Sequence, residues 1–246
     1  MKISLIIPTY NEEPVIVQTV RLLAQSFDEN ISHDWEIIVV DNASTDGTIL
    51  AVESIGDVRV RAIRLIEKGK GRALRAGFQS ATGEIIGFTD SDLSVPPDEI
   101  ISAIRQVETH PDSVVIGSRH HPKSVMPGRE WWRIGSSRIF HILARVIAGI
   151  HASDTQCPLK VMSRHNIRIM LATREDTWFA DLEFIALLEH LQIPIEEVPV
   201  TWDEHRYPLR RSKLSTVKDG LRAIVAMFRI RERLPSLLAS LGTVKK

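Results

Sequence analysis

The stretch IIGFTDSDLS, residues 85–94, has the pattern of a buried β-strand that ends in two carboxylates. Because alternate residues of an extended strand share a face, Asp90 and Asp92 are expected to point to the same side. Mg²⁺ and Mn²⁺ prefer oxygen ligands and commonly combine one or two carboxylates with substrate phosphates. The alternative is a plain polar turn before a helix, since residues 96–99 (PPDE) have the composition of a helix start.

The same order of a strand followed by a helix recurs through the first half of the chain. It predicts an α/β fold with a mostly parallel central sheet flanked by helices. In open sheets of this kind, ligands bind at the carboxyl ends of the strands. Three predicted strand ends carry polar groups, at residues 8–12, 41–46 and 90–92, and we expect them to form one site. The predicted strands span residues 2–8, 35–40, 58–65, 84–89 and 113–116, and the predicted helices span residues 12–26, 46–55 (capped by Ser44 or Thr45), 71–81 and 97–109.

The composition is that of an ordinary globular protein of 246 residues, 43% of them apolar and 25% charged. The lone cysteine, Cys157, excludes an internal disulfide framework, fits a reducing compartment and is expected to be a small buried apolar residue. Residues 1–7 open a strand rather than a secretory signal, and no apolar run reaches the roughly 20 residues that span a bilayer. We therefore expect a cytoplasmic protein that does not cross a membrane by itself.

The net charge of zero conceals an acidic front and a basic tail. Residues 1–118 hold 10 Lys and Arg against 18 Asp and Glu, whereas residues 206–246 hold 11 against 2. Two predicted helices, at 131–150 and 217–230, carry an apolar stripe beside a basic one, and Pro235 is expected to interrupt the second. Such helices either lie in a membrane interface or pack on the protein core. The basic residues accompany no nucleic-acid-binding motif, so no nucleic-acid partner is predicted.

Five motifs, in order along the chain, resemble the successive signatures of the family 2 inverting glycosyltransferases, which have the GT-A fold. Three later motifs are similar to the dolichyl- and polyprenyl-phosphate hexose synthases of that family. The resemblance implies a GT-A catalytic domain at residues 1–215, followed by a basic amphipathic helical tail at residues 216–246. The five motifs are SLIIPTYNEE (4–13), IIVVDNASTDGT (37–48), KGKGRALRAGF (68–78), GEIIGFTDSDLS (83–94) and IGSR (116–119), and the later three are DTQCPLKVMSR (154–164), WFADLEF (178–184) and RSKLS (211–215).

This resemblance implies transfer of a hexose, with inversion, from a nucleotide sugar (UDP-glucose or GDP-mannose) to dolichyl or polyprenyl phosphate. It also implies Mg²⁺ or Mn²⁺ as cofactor and a peripheral place on the cytoplasmic face of a membrane. The chain would reach that membrane surface through its own helices or through a membrane-protein partner. Two alternatives stay open: a transferase whose acceptor is a sugar hydroxyl on a glycan or glycolipid, and a catalytically silent subunit that binds a nucleotide sugar. A hydroxyl acceptor needs a general base, whereas a phosphate is already anionic near pH 7.

Carried over residue by residue, the resemblance implies a nucleotide site at the strand ends. Asp90 and Asp92 match the D-x-D pair that binds the cation bridging the diphosphate, and Asp92 is also expected to be catalytic. Asp41 matches the carboxylate that contacts the base, although Asn42 replaces the acidic residue usual beside it. Lys70, in a loop that leads into the third helix, is expected near the nucleotide. The other implied nucleotide-binding residues are Pro8, Tyr10, Glu12, Ser91, Ser212 and Lys213.

The resemblance also implies a site for the sugar and the acceptor phosphate. Arg119, expected to be catalytic, is the leading residue for the acceptor phosphate, because arginine binds phosphate through two parallel hydrogen bonds. Arg133 and Ser137 are further candidates for that phosphate. Gln156 and Asp181 match positions near the sugar, and Asp181 is the candidate sugar contact or catalytic base.

Overall fold

The computed structural model describes residues 1–127, 131–202 and 216–242, and within them the backbone alone for residues 131–138 and 216–219. A seven-stranded sheet has the order β3-β2-β1-β4-β6-β5-β7, and of these strands only β6 runs antiparallel to its neighbours. This confirms the predicted α/β class with a mostly parallel sheet. The strands are β1 (Lys2–Thr9), β2 (Asp34–Asp41), β3 (Val60–Arg64), β4 (Ile85–Phe88), β5 (Val114–Ser118), β6 (Lys160–Ser163) and β7 (Ile195–Pro199).

Helices cover both faces of the sheet, because the strands present apolar side chains on both sides. On β1, Leu5 and Ile7 face one core and Ile6 faces the other, as strand alternation requires. Helices α1, α2 and α4 pack on the first side, and α3 and α5 to α8 pack on the second. The helices are α1 (Glu13–Asn30), α2 (Thr48–Glu53), α3 (Lys70–Ser80), α4 (Pro97–Thr109), α5 (Trp131–Ala148), α6 (Ile167–Ala172), α7 (Ala180–His190) and α8 (Thr216–Gly242).

The carboxyl ends of β1, β2 and β4 lie side by side at one edge of the sheet. Thr9 pairs with Asp41 across β1 and β2, and Ile6 pairs with Phe88 across β1 and β4. The three polar segments that follow these strands therefore leave the sheet at the same edge, as the sequence predicts.

The second half of the chain adds two strands that the sequence analysis did not predict. β6 inserts between β4 and β5, so that Lys160, its first residue, pairs with Phe88 on one side and Ile116 on the other. Because β6 is antiparallel, this first residue lies at the edge where β4 and β5 end. β7 is a half-buried edge strand that contains Glu196 and Glu197. A four-residue strand and a charged edge strand both lack the longer apolar pattern on which strand prediction depends.

The predicted cap of α2 is wrong. The helix begins at Thr48, after Gly47, and neither Ser44 nor Thr45 caps it. Instead, Asp46 accepts a hydrogen bond from the Thr48 N–H at 3.1 Å. Ser44 and Thr45 lie too far before the helix start to cap it. Both hydrogen-bond to Asn11, in the turn after β1.

Pro235 does not interrupt the C-terminal helix, contrary to the prediction, since α8 continues through it. Proline inside a helix costs about 3 kcal/mol, because it removes a backbone hydrogen bond and crowds the preceding turn. Burial of apolar side chains on both sides of the proline offsets this cost. The buried side chains are those of Ala223, Ala226, Met227, Ile230, Leu234, Leu237 and Leu241.

Helices α5 and α8 pack against each other, and each also exposes an apolar stripe. Every side chain of the two stripes is more than half exposed, although the stripe residues recur at helical spacing, as core residues do. Within the described ranges, no helix is both long enough and apolar enough to cross a bilayer. The exposed stripes consist of Ile139, Ile142 and Val146 on α5 and Leu221, Val225 and Phe228 on α8.

Glu36 on β2 ties together the amino-terminal ends of the strands. It accepts hydrogen bonds from Ser4 Oγ at 2.7 Å, from the Thr82 N–H at 2.8 Å and from Arg61 Nε at 3.2 Å. Burial alone would raise the pKa of Glu36, but these donors lower it from 4.5 to about 2.

We expect E36Q to lower the free energy of unfolding at neutral pH by about 3 kcal/mol, the energy that corresponds to this pKa difference. Because the folded-state pKa is the lower one, the contribution is present above pH 4.5 and is lost as the pH falls towards 2. Urea unfolding of both proteins across this pH range measures it. A variant whose stability falls with pH as steeply as that of the native protein would contradict the assignment.

Candidate active site

Hydrogen bonds join the turn after β1 to the turn after β2. The Asn11 N–H donates to Ser44 Oγ at 2.9 Å, and Asn11 Oδ1 accepts from the Thr45 N–H at 2.8 Å. The Glu12 N–H donates to Thr48 Oγ1 at 2.9 Å. Asn11 has a φ of 52°, a left-handed conformation that asparagine tolerates better than most residues. Hydrogen bonds therefore hold together two of the three segments predicted to bind the nucleotide, residues 8–12 and 41–46.

The predicted nucleoside-binding residues lie along this edge. Asp41 is buried at the end of β2, where its carboxylate accepts a hydrogen bond at 3.2 Å from the backbone N–H three residues on. The Lys68 ammonium lies 4.2 Å from the centre of the Tyr10 ring and donates to the Tyr10 hydroxyl. Pro8 is half-buried within β1, and Glu12 is buried just after it. Contact of these residues with a nucleoside stays a prediction.

The KGKG motif at the start of α3 is packed against a second backbone segment. The Gly69 N–H donates to Asn42 Oδ1 at 2.6 Å, so the amide found in place of an acid holds this motif. The Gly71 N–H donates to the Asp176 carbonyl oxygen at 3.0 Å. A Cβ on Gly69 would lie 2.6 Å from that same oxygen, and a Cβ on Gly71 would lie 2.0 Å from the Glu175 carbonyl oxygen. Both glycines are required by this close backbone approach.

Lys70, which this motif presents, lies among carboxylates. Its Nζ is 3.0 Å from Asp90 Oδ1 and 3.6 Å from Asp181 Oδ2. Burial alone would lower the pKa of Lys70, but Asp90 and Asp181 together raise it above its ordinary value. The lysine is therefore charged, and it lies where it can neutralise a phosphate next to Asp90.

The D-x-D pair follows β4 in a hydrogen-bonded turn. Asp92 Oδ1 accepts from the Ser94 N–H at 3.1 Å, and the carbonyl oxygen of the buried Ser91 accepts from Thr19 Oγ1 at 2.6 Å. The Asp90 side chain is 24% exposed. Both carboxylates are hard oxygen donors of the kind that Mg²⁺ and Mn²⁺ prefer.

A divalent cation fits this pair together with oxygen ligands from a substrate. In the described part of the chain, no group of three or more His, Cys, Asp or Glu side chains is placed to hold a metal ion. Sites with one or two carboxylates take their other ligands from water and substrate phosphates. Asp90 and Asp92 would therefore hold the cation jointly with a bound diphosphate.

Asp181, the predicted sugar contact or base, is 1% exposed and lies between two lysines. One oxygen faces Lys70, and the other lies 3.1 Å from Lys160 Nζ. Lys160 is fully buried, and its ammonium also donates to the carbonyl oxygens of Cys157 at 2.6 Å and Thr155 at 3.2 Å. Each Asp181 oxygen thus lies at ion-pair distance from a lysine, although Oδ1 is buried without a hydrogen-bond partner among the described residues. Contact of Asp181 with a sugar stays a prediction.

Arg119, directly after β5, is held by Asp154. Arg119 Nε donates to Asp154 Oδ2 at 2.7 Å and Nη2 donates to Oδ1 at 2.9 Å, while the guanidinium carbon lies 4.7 Å from the centre of the Trp202 ring. Burial alone would raise the pKa of Asp154, but the guanidinium holds it well below its usual range. Only β6 separates β4 from β5, so the segments carrying Asp90 and Arg119 leave the sheet two strand spacings apart, roughly 10 Å.

The turn that carries Asp154 also carries Gln156 and Cys157. The N–H groups of both donate to Asp154 Oδ1, at 3.0 and 3.1 Å. Gln156 Nε2 is buried without a hydrogen-bond partner among the described residues, which suits an amide that binds a ligand. Burial raises the pKa of the Cys157 thiol to about 12, and its burial confirms the prediction of a small apolar residue.

Asp154, Lys160 and a pair of histidines were not predicted from the sequence. The Nε2 atoms of His120 and His141 lie 3.0 Å apart, and burial lowers the pKa of His141 to about 4. A lysine that opens an otherwise apolar strand is the signal that points to Lys160. No pattern in the sequence distinguishes the two histidines.

Four predicted residues are not placed by the structure. Ser212 and Lys213 lie outside the described residues. Arg133 and Ser137 lie on α5 where the backbone alone is described.

The overall fold is shared with a nucleotide-sugar enzyme. Glucosyl-3-phosphoglycerate synthase from Mycobacterium tuberculosis, crystallised with Mn²⁺ and UDP-glucose, superposes with a TM-score of 0.66, covering 94% of this chain and 78% of that one. The two sequences are 19% identical, so the likeness concerns the fold alone.

Sequence comparisons extend the likeness to curated relatives. The chain is 32% identical over 220 residues to the dolichyl-phosphate beta-glucosyltransferase of Drosophila melanogaster, covering 83% of this chain and 68% of the fly protein. It is 31% identical over 219 residues to the Mus musculus protein of the same name, covering 82% and 68%. Residues 4–168 match the model of glycosyl transferase family 2. The chain therefore belongs to glycosyl transferase family 2 and has the GT-A fold.

Proposed function

We propose that this chain transfers glucose from UDP-glucose, with inversion, to a polyprenyl phosphate of the dolichyl type. The fly and mouse relatives are named as dolichyl-phosphate beta-glucosyltransferases and share about a third of their aligned residues with this chain. The chain spans about two thirds of the length of those relatives, 68% in each case, and the proposal concerns the activity of that shared part.

On the donor side, the leaving group is a nucleoside diphosphate that gains negative charge as the bond to the sugar breaks. Asp90 and Asp92 would hold Mg²⁺ or Mn²⁺, and the cation supplies neutralisation of that charge when bound. Lys70, 3.0 Å from Asp90, adds a fixed positive charge at the same place. Tyr10 and Asp41, at the ends of β1 and β2, are proposed to contact the nucleoside.

The observation that carries the acceptor class is the environment of Asp181. A sugar hydroxyl would need a general base, yet the predicted base is buried with a lysine at each of its oxygens. A phosphate acceptor needs no such base, because it is already anionic. It needs cationic groups instead, and Arg119 is proposed to bind it, with Arg133 and Ser137 as further contacts.

The exposed stripes of α5 and α8 support docking at a membrane surface, where a polyprenyl phosphate would be found. Each helix buries one face in the core and leaves a second apolar face exposed. Arg145 and Arg222 are exposed on the same helices and suit anionic headgroups. In this proposal residues 1–215 form the catalytic domain and residues 216–246 form a membrane-interface element. The cytoplasmic face of that membrane stays a prediction.

The donor and acceptor are tested together with purified protein, a short polyprenyl phosphate and radiolabelled UDP-glucose or GDP-mannose. We expect label from UDP-glucose alone in an organic-extractable, mild-acid-labile product. Excess EDTA should abolish product formation and added Mn²⁺ or Mg²⁺ should restore it. Lipid product from GDP-mannose would reassign the donor. No lipid product from either donor, with an acceptor that a control enzyme uses, would overturn the acceptor assignment.

For Arg119, we expect R119K to lower kcat/KM for the lipid phosphate by about 10- to 100-fold, since lysine cannot reproduce charge-assisted bonds made at two points. The affinity for UDP should be unchanged. Arg59 gives a matched control, because it also pairs with a carboxylate, Asp57, and stacks on a tryptophan, Trp35, at 3.8 Å. R59K should leave both quantities unchanged. Equal losses in the two variants would remove Arg119 from the acceptor site.

For the membrane surface, we expect V225S/F228S to reduce binding to anionic liposomes at low salt by about tenfold or more, because each buried apolar side chain contributes about 1.5–3 kcal/mol. Co-sedimentation measures the bound fraction. The control is V58S/I66S, which removes apolar side chains that are 98% and 96% exposed outside α5 and α8. Equal binding by the two double variants would argue against docking through α8.

A further inference from the structure

Lys160 is a fully buried cation at the carboxyl edge of the sheet, where β6 inserts it between the ends of β4 and β5. Burying an ammonium group is strongly unfavourable unless its charge is paired and its protons are all accepted. The Lys160 charge is paired with Asp181, whose Oδ1 lies 3.1 Å from Nζ. Two of the three ammonium protons are accepted by the carbonyl oxygens of Cys157 at 2.6 Å and Thr155 at 3.2 Å. The buried charge of Lys160 is therefore compensated by one ion pair and two hydrogen bonds.

From Lys160 the charges alternate in sign towards the exposed site. Asp181 lies between Lys160 and Lys70, and the Lys70 ammonium lies 3.0 Å from Asp90 Oδ1. We refer to Lys160, Asp181, Lys70 and Asp90 as the charge chain. Loss of Lys160 would leave Lys70 shared between two carboxylates, and loss of the Asp181 charge would leave two lysines unbalanced. Either change would move Lys70 relative to Asp90.

The same lysine holds the turn of residues 154–157 through the two carbonyl oxygens. Within this turn, Asp154 accepts the N–H groups of the next residues and binds Arg119 at two points. The Lys160 ammonium is therefore linked to Asp90 through the charge chain. Through the turn of residues 154–157 it is also linked to Arg119.

We propose that Lys160 is a positioning residue for glycosyl transfer: it sets the place of Asp90 through the charge chain and the place of Arg119 through the turn. Asp181 then acts through the two lysines rather than on the sugar. This inference depends on the proposed function only in naming the two sides as donor and acceptor.

Three variants test it: K160M, D181N and the double variant K160M/D181N. K160M should raise the Kd for UDP with Mn²⁺ and lower kcat, each by about 10- to 100-fold, as loss of a group that supports a metal ligand typically does. It should also raise KM for the acceptor, because the turn is released. D181N should show similar donor-side losses. The double variant restores the charge balance of Lys70 and Asp90, and it should regain most of the UDP affinity and kcat lost in D181N.

Two results would overturn the proposal. If the double variant is as inactive as D181N, Asp181 acts directly on the substrate. If K160M lowers Tm while Kd, KM and kcat stay native, Lys160 supports stability alone. Should K160M not fold, D181N compared with the charge-balanced double variant carries the same test.

E36Q is the matched control, because it changes a buried, multiply hydrogen-bonded carboxylate at the opposite edge of the sheet. It should lower Tm and leave the UDP affinity unchanged. UDP binding is measured without an acceptor, so failure of the charge-chain proposal and failure of the polyprenyl-phosphate assignment give different results.

Discussion

Charge neutralisation inside the carboxyl edge of the sheet is the constraint on which the site depends. Lys160 and Asp181 are almost fully buried, and buried charges are tolerated only when their partners and hydrogen bonds are in place. Lys70 lies between two carboxylates, 3.0 Å from Asp90 and 3.6 Å from Asp181. The KGKG motif serves the same arrangement, because its glycines let the backbone at residues 175–176 pack against the start of α3.

Much of the fold is predictable where one strong pattern decides the structure. The apolar runs of β1, β2 and β4 are buried on both faces, so their signal is continuous, and helix α4 has the bounds that its proline start predicts. Elements decided by tertiary packing were missed or misjudged. β6 forms a strand because it pairs with both β4 and β5. Helix α8 continues through Pro235 because the core buries side chains on both sides of the proline.

The site shows the same division between local and long-range information. Asp90 and Asp92 were recognisable because their spacing and their position after a strand are local properties of the sequence. Lys70 and Asp181 were also predicted near the substrates, but their contacts with each other and with Lys160 were not, because the three residues come from separate segments. Asn42 is a related case, since its departure from the family pattern is explained by a hydrogen bond to Gly69 that no local pattern reveals.

The insertion of β6 has a consequence for how the polypeptide folds as it leaves the ribosome. Strands β1 to β4 can pair with one another in order of synthesis, whereas β5, complete at Ser118, borders only β6 and β7, and β6 begins at Lys160. Until that later segment emerges, the open edges of β4 and β5 expose unpaired backbone groups of the kind that join other chains. While residues 119–159 are being synthesised, the strand edges that β6 covers in the finished sheet therefore stay open.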